Sequence, residues 1–198
     1  PAHLSLIASV GVAQVSVVRR PIVGMFATGD ELTSPGLPLS PGAIYESNRF
    51  AIGALLSNFG ADVVDLGVIS DDPQTIRAAF EKADQQCDLV LSSGGVSVGD
   101  ADYVKQVLDE IGRIAHWIVA IKPGKPFAFG HLPHSYFCGL PGNPVSSYVT
   151  FEQLVIPILN KLTACNSAKP ATFVAKAATR IRKRPGRADF QRGIFYRD

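Results

Sequence analysis

Four acidic residues, Glu31, Asp71, Asp100 and Asp102, fall in segments that read as loops. Carboxylates gathered at one place repel unless they take up a proton or a cation. Hard oxygen donors that also face a phosphate suit Mg²⁺, which keeps several of its waters. Each acid has a structural alternative. Asp72 precedes Pro73 and suits a helix N-cap, and Asp100 or Asp102 would cap the helix that follows them. The neighbours therefore divide, with Asp71 as the site candidate and Asp72 as the cap, while for Asp102 capping and chemistry stand level. Lys122 and Lys125 flank Pro123-Gly124, and Pro126 follows. The two prolines stiffen this loop, so both ammonium groups are presented together, as a small dianion or a phosphate would require. The alternative is a pair of ordinary surface lysines.

Three glycine-bearing loops accompany them. Gly139-Leu140-Pro141-Gly142-Asn143-Pro144-Val145-Ser146-Ser147 joins an apolar run to a long helical pattern. Asn143 suits an N-cap and Pro144 the first helical position, so the helix start is either an anion site made of open amides or a well-capped terminus and nothing more. Ser93, Gly94 and Gly95 supply a hydroxyl and bare backbone, as a phosphate or pterin cradle would, although S-G-G is also common in ordinary turns. Thr28-Gly29 opens a third loop. Thr28 and Ser146 are secondary candidates for hydrogen bonds to phosphate.

These loops follow strand-like runs at Ile22–Ala27, Asp88–Ser92, Trp117–Ile121 and Tyr136–Gly139; further runs lie at Ala61–Val68 and Phe127–Phe129. Between them apolar residues recur at i, i+3, i+4 and i+7: Ile52, Leu55, Leu56 and Phe59; Ile76, Ala79, Phe80 and Ala83; Val104, Val107, Leu108 and Ile111. Each set is one face of an amphipathic helix. Alternating strands and helices predict βαβ units and a mainly parallel sheet covered on both faces, a three-layer α/β/α fold. Phe127–Phe129 and Tyr136–Gly139 predict an added hairpin. A last helix is expected from Pro144 to Leu162, kinked or split by Pro157. Open α/β sheets bind ligands outside the carboxyl ends of their strands, so the loops are expected to form one composite site.

In order and spacing, Thr28-Gly29-Asp30-Glu31-Leu32, Gly42 to Asn48, Asp71-Asp72-Pro73, Ser92 to Asp100, Lys122 to Pro126 and Gly139 to Ser147 resemble the MoeA/gephyrin E-domain family, the molybdopterin molybdenumtransferases. The resemblance runs from about Leu6 to Gly193. It implies a MogA-like molybdopterin-binding domain and Mg²⁺-dependent insertion of molybdate into adenylylated molybdopterin, with release of AMP. It also implies catalytic roles for Glu31, Asp71 and Asp102, with Asp71 and Asp102 handling the metal. Molybdate binding is implied for Lys122 and Lys125. Contacts to pterin and phosphate are implied for Ser93 and for the Pro141, Gly142, Asn143, Pro144 and Ser146 loop. Arg192, in Asp189-Phe190-Gln191-Arg192-Gly193, matches a motif of the family's small β domain and is expected to reach the anion site. Many relatives carry a basic residue where this chain has Ile118. The resemblance further implies a homodimer, with a molybdopterin adenylyltransferase and molybdoenzyme-maturation proteins as further partners. The rival readings are a molybdopterin adenylyltransferase, against which the appended β segment and the Lys122–Pro126 motif speak, and a receptor scaffold of the gephyrin kind.

The expected organisation is a lead-in over 1–20, an α/β domain over 21–162, a polar linker over 163–170 and, over 171–198, the start of a β-barrel domain that the chain does not complete. In that last part Ala171–Arg182 reads as a strand, with its arginines on one exposed face. Pro1-Ala2-His3 in place of a Met start reads as a cut from a longer protein. A 198-residue chain with 46% hydrophobic and 18% charged residues can bury a sizeable core. A net charge of +2 names no partner. The basic run Arg180 to Arg184 has neither interleaved aromatics nor an RNA-binding motif, so no nucleic acid is expected. No stretch is apolar enough to span a membrane. The three cysteines, Cys87, Cys138 and Cys165, have no metal spacing and read as reduced thiols of a cytoplasmic protein. His131-Leu132-Pro133-His134 reads as a hairpin loop because Pro133 prevents a regular helix.

Overall fold

The computed structural model describes residues 2–96, 103–165, 171–183 and 185–196. A short helix α1 (Ala2–Ser9) with no buried residue begins the chain. Then follow β1 (Ile22–Thr28), β2 (Leu32–Thr33), β3 (Ile44–Tyr45), α2 (Asn48–Phe59), β4 (Asp62–Ile69), α3 (Pro73–Asp84) and β5 (Leu89–Ser93). Next come α4 (Tyr103–Ile111), β6 (Arg113–Ile118), β7 (Ile121–Lys122), β8 (Pro126–His131), β9 (Tyr136–Leu140) and α5 (Pro144–Thr150). A π-helical turn (Phe151–Val155), α6 (Ile156–Leu162) and β10 (Ala188–Asp189) complete it.

Six strands form the central sheet in the order β4-β1-β5-β9-β8-β6. The first four are parallel; β8 runs antiparallel to β9, as the predicted hairpin, and to the edge strand β6. Side chains alternate across each central strand, so one residue set cannot fill both faces. Val23, Leu89, Leu91, Cys138 and Leu140 pack on one side with Ile52 and Leu56 of α2 and with Phe151, Val155 and Leu159. Phe26, Val90 and Phe137 pack on the other with Ile76 and Phe80 of α3 and with Val104, Val107 and Leu108 of α4. The two cores make the three layers. Phe80 meets Phe26 and Phe137 edge to face, with centroids 5.0 and 5.4 Å apart.

Local chemistry sets the helix starts. Asp72 is extended at φ −127°, and its carboxylate accepts from the Thr75 amide and hydroxyl, both at 2.8 Å. Those bonds hold the Asp72 carboxyl below its ordinary pKa. Asp72→Ala is therefore expected to lower Tm by roughly 2–4 °C and to spare activity per folded molecule. A calorimetric scan beside a turnover assay checks this, and an inactive variant of full stability would move Asp72 into the site.

The last helical run keeps its expected bounds, Pro144 to Leu162, and splits near Pro157 as expected: the π-helical turn separates α5 from α6, whose first turn holds Pro157. Other expectations are corrected. The expected strand Trp117–Ile121 begins earlier, at Arg113, and ends at Ile118. Ala171–Arg182 forms no strand; over the described part of the tail only Ala188–Asp189 pairs, in parallel with Ile121–Lys122. A backbone with an unpaired edge and no apolar layer beneath it lacks what makes alternation a strand. The hairpin loop holds as expected: the His134 amide and the Ser135 hydroxyl donate to Asp84 Oδ1 at 3.1 and 2.7 Å. All three cysteines are free, and burial pushes the Cys87 thiol up to about 11. Ile118, half exposed at the sheet edge, does not line the cleft described next.

Candidate functional site

Strand order decides where a ligand can enter. From β1 the chain passes to β4 on one side and then crosses to β5 on the other, so the order reverses between β1 and β5. A crevice opens where crossover connections diverge in this way. β1 ends there at Thr28 and β5 at Ser93. A cleft of about 570 Å³ occupies the place, lined by Thr28, Gly29, Glu31, Asp71, Gly94, Gly95, Val96, Tyr103, Pro126, Pro141, Gly142, Asn143 and Ser146. Most of the candidate residues in the loops after β1, β5 and β9 thus meet at one cavity.

The glycines are required by close approach. Gly94 has φ +87°, and a Cβ on it would lie 2.7 Å from the Thr28 carbonyl oxygen. Gly95 has φ +64°, and a Cβ there would lie 2.3 Å from Val104 Cγ2 and 2.9 Å from Thr28 Oγ1. Gly95→Ala must therefore displace α4 or the β1 end. The expected result is a stable-core protein with Tm lowered by several degrees and weakened ligand binding at the cleft. Thermal melts with a ligand-binding assay check it, and wild-type binding in that variant would show that the loop tolerates a side chain.

Hydrogen bonds refine the roles of the loops. Asn143 Oδ1 accepts from the Val145 and Ser146 amides at 3.1 and 3.2 Å, Pro144 has no N–H, and the Ser147 amide donates to the Asn143 carbonyl at 2.8 Å. No first-turn amide of α5 remains for an anion. The turn is a well-capped terminus, and its N-cap side chain takes up donors that a phosphate would use. The Gly94 amide is likewise engaged, donating to the Leu140 carbonyl at 3.1 Å. Thr28 Oγ1 is buried and has no partner, an arrangement that costs stability unless a ligand completes it.

Asp71, Glu31 and Asp30 form the acidic side. The Asp71 amide donates to Asp30 Oδ1 at 3.2 Å. Partial burial, then the charges of Asp30 and Glu31, push the Asp71 carboxyl above its ordinary range. A carboxyl raised by neighbouring carboxylates in this way suits a cation. Mg²⁺ needs only one or two of them when water and phosphate supply its other ligands. Among the described residues no three His, Cys, Asp or Glu side chains come close enough to make a full protein cage. Asp102, like Ser97 and Asp100, lies outside the described residues.

The expected single composite site is divided. Lys122 lines a separate pocket of about 360 Å³ with Arg182, Lys183, Pro185, Arg187 and Asp189. Its Nζ lies 3.7 Å from Asp189 Oδ2, and the Phe190 amide donates to the Lys122 carbonyl at 2.7 Å. The basic tail turns onto the lysine loop in place of forming an exposed strand face. Lys125 is exposed, and Pro126 joins the main cleft. Gly124 seats the loop on α5, since a Cβ there would lie 2.5 Å from Thr150 Cγ2. Arg192 and Pro144 line a third groove with Ser47, Asn48 and Tyr148, so Arg192 reaches the other flank of α5. Ser93, 7% exposed, directly precedes the Gly94–Gly95 lining. Asn48, which the sequence reading passed over, bonds both Ser93 Oγ and the Gly142 carbonyl. Its only signal was a second polar residue beside Ser47 at a helix start.

Residues 24–161 match the family described as "Probable molybdopterin binding domain". The chain belongs to this family. It is 50% identical over 197 residues to the molybdopterin molybdenumtransferase of Haemophilus influenzae, covering 99% of this chain and 49% of that protein. A solved molybdopterin biosynthesis MoeA protein of Pyrococcus horikoshii superposes with a TM-score of 0.74 at 34% identity, over 84% of this chain and 41% of that one. The MoaB molybdopterin biosynthesis enzyme of Thermus thermophilus shares the fold, with a TM-score of 0.57 at 18% identity over 73% of this chain and 97% of that one. The chain spans about half the length of the curated relatives it matches. Its family is that of molybdenum cofactor biosynthesis, and the expected three-layer fold is the one found.

Proposed function

We propose that this chain carries the substrate cleft of a molybdopterin molybdenumtransferase, which inserts molybdate into adenylylated molybdopterin and releases AMP. One observation carries the reading: the Thr28, Gly94 and Gly142 loops meet Asp71 and Glu31 at the switch point, in a chain half identical to an enzyme of that name. The loops from Thr28 and Gly94 hold the pterin and its phosphate. Their glycines let the ligand approach the backbone, and the Thr28 hydroxyl donates to it. Pro141 to Ser146 shape the adjoining wall and exclude water. Lys122, in a pocket with three further cationic side chains, together with Lys125, holds the molybdate dianion. Asp71 and Asp102 hold Mg²⁺, which when bound neutralises phosphoanhydride charge. Glu31, which lines the same cleft as Asp71, is the third catalytic carboxylate.

No helix among the described residues is long and apolar enough to cross a membrane, and a cytoplasmic homodimer is part of the proposal. The test is turnover of adenylylated molybdopterin by the full-length protein, with AMP and metallated cofactor as readouts. AMP release that requires both molybdate and Mg²⁺ supports the reading. Consumption of ATP with free molybdopterin, and no molybdate-dependent step, would replace it with an adenylyltransferase. Sedimentation of the same protein tests the assembly, and an active monomer would remove the second subunit from the mechanism.

A further inference from the structure

Asn48 begins α2, and its side chain is 9% exposed. A buried amide is costly unless its N–H groups find acceptors. Here both do. Nδ2 donates to Ser93 Oγ at 2.9 Å and to the Gly142 carbonyl at 2.7 Å. A carbonyl can only accept, which sets the amide's orientation. The two acceptors belong to the end of β5 and the turn before α5, neighbouring segments that both lead into the cleft lining and lie so close that a Cβ on Gly142 would be 3.9 Å from Gly94 Cα. Because Ser93 Oγ already accepts from Asn48, its own proton is left to donate, and it makes no such bond among the described residues. The adjacent Thr28 is 4% exposed, and its hydroxyl is unpartnered among the described residues. Two hydroxyl donors therefore border one glycine loop with no acceptor among the described residues.

We propose that Asn48 is a positioning residue of the cleft: it sets the gap between the Ser93–Gly95 loop and Gly142, and it commits the Ser93 hydroxyl to donate to an oxygen acceptor of the bound molybdopterin. The second half rests on the function proposed above; the first does not. Asn48 touches no ligand in this account. It acts through the two loops it joins, and through the direction of one hydrogen bond.

Two measurements on the full-length protein test it. Amide hydrogen exchange, without ligand, compares wild type with Asn48→Ala. The expected result is exchange several-fold faster at residues 93–95 and 141–143, with β1 and β4 unchanged. The Gly94 amide, bonded to the Leu140 carbonyl at 3.1 Å, is the reporter. Unchanged exchange in both loops overturns the clamp whatever the ligand is. Should Asn48→Ala fail to fold, Asn48→Asp keeps the size, faces the Gly142 carbonyl with a carboxylate, and undergoes the same comparison. Molybdopterin binding is then measured for Asn48→Ala, Ser93→Ala and the double variant. Each single change is expected to weaken binding by about tenfold, the worth of one hydrogen bond, and the double variant by less than the product of the two. Losses that multiply would overturn the coupling. Absence of molybdopterin binding by wild type would sink the proposed function, while the exchange result still decides the clamp.

Discussion

Asp71→Asn in the full-length protein is expected to lower cofactor formation by roughly 100-fold or more, the usual cost of removing a charge that acts on the reacting centre. The amide keeps the carboxylate's shape, so the fold survives. Stability supplies an internal control with a definite sign. The Asp71 carboxyl is raised, first by burial and then by Asp30 and Glu31. A raised folded-state value means that the native protein holds the proton more tightly than the unfolded chain. Ionised Asp71 therefore destabilises the fold above its folded-state pKa. That penalty is relieved as pH falls through the window between the raised value and the ordinary one. The Asn variant should melt at or above the wild-type temperature at neutral pH and lose the advantage in acid. Its rate should also lack the acidic limb that wild type shows at a pH above the ordinary carboxylate range. Wild-type turnover by Asp71→Asn with Mg²⁺ present would remove Asp71 from the chemistry.

Lys122→Ala combined with Lys125→Ala is expected to weaken molybdate binding by roughly 100-fold or more, since each lysine contributes a charge-assisted hydrogen bond. Folding should persist. Lys125 is exposed, and among the described residues Lys122 pairs with Asp189, a side chain that shares its pocket with Arg182, Lys183 and Arg187. Those three cations also predict how the single variants differ. Lys122→Ala leaves Asp189 facing the anion's place, so it should weaken binding more than Lys125→Ala. Isothermal titration with tungstate or molybdate at two salt concentrations measures both the loss and its screening. Undiminished anion binding in the double variant would end the assignment.

Much of this molecule is written in short-range pattern. Period 3.6 marked α2, α3 and α4, because a surface helix buries one face, and short apolar runs with glycine punctuation marked β1, β5 and β9, because strands of a parallel sheet are covered on both faces. The Asp72 cap was legible for the same reason: its donor lies three residues away. The Asn143 cap was equally local, and it spends the amides that otherwise suggest an anion site. The strand-end loops were placed at one crevice by topology, which follows once the strands are parallel.

Other features had no local signature. The Ala171–Arg182 alternation forms no strand because nothing pairs with it, and the tail turns its charges onto Lys122. Arg192 lies on the far flank of α5 from the cleft. The raised carboxyl of Asp71 comes from burial and from acids 40 and more positions away. Asn48 joins residues 45 and 94 positions distant. The sequence by itself determined the elements, their caps and the family, since those depend on neighbours along the chain. Only the tertiary structure decided which polar groups are spent, which are buried without partners and which cations share a pocket, because desolvation and pairing depend on neighbours in space.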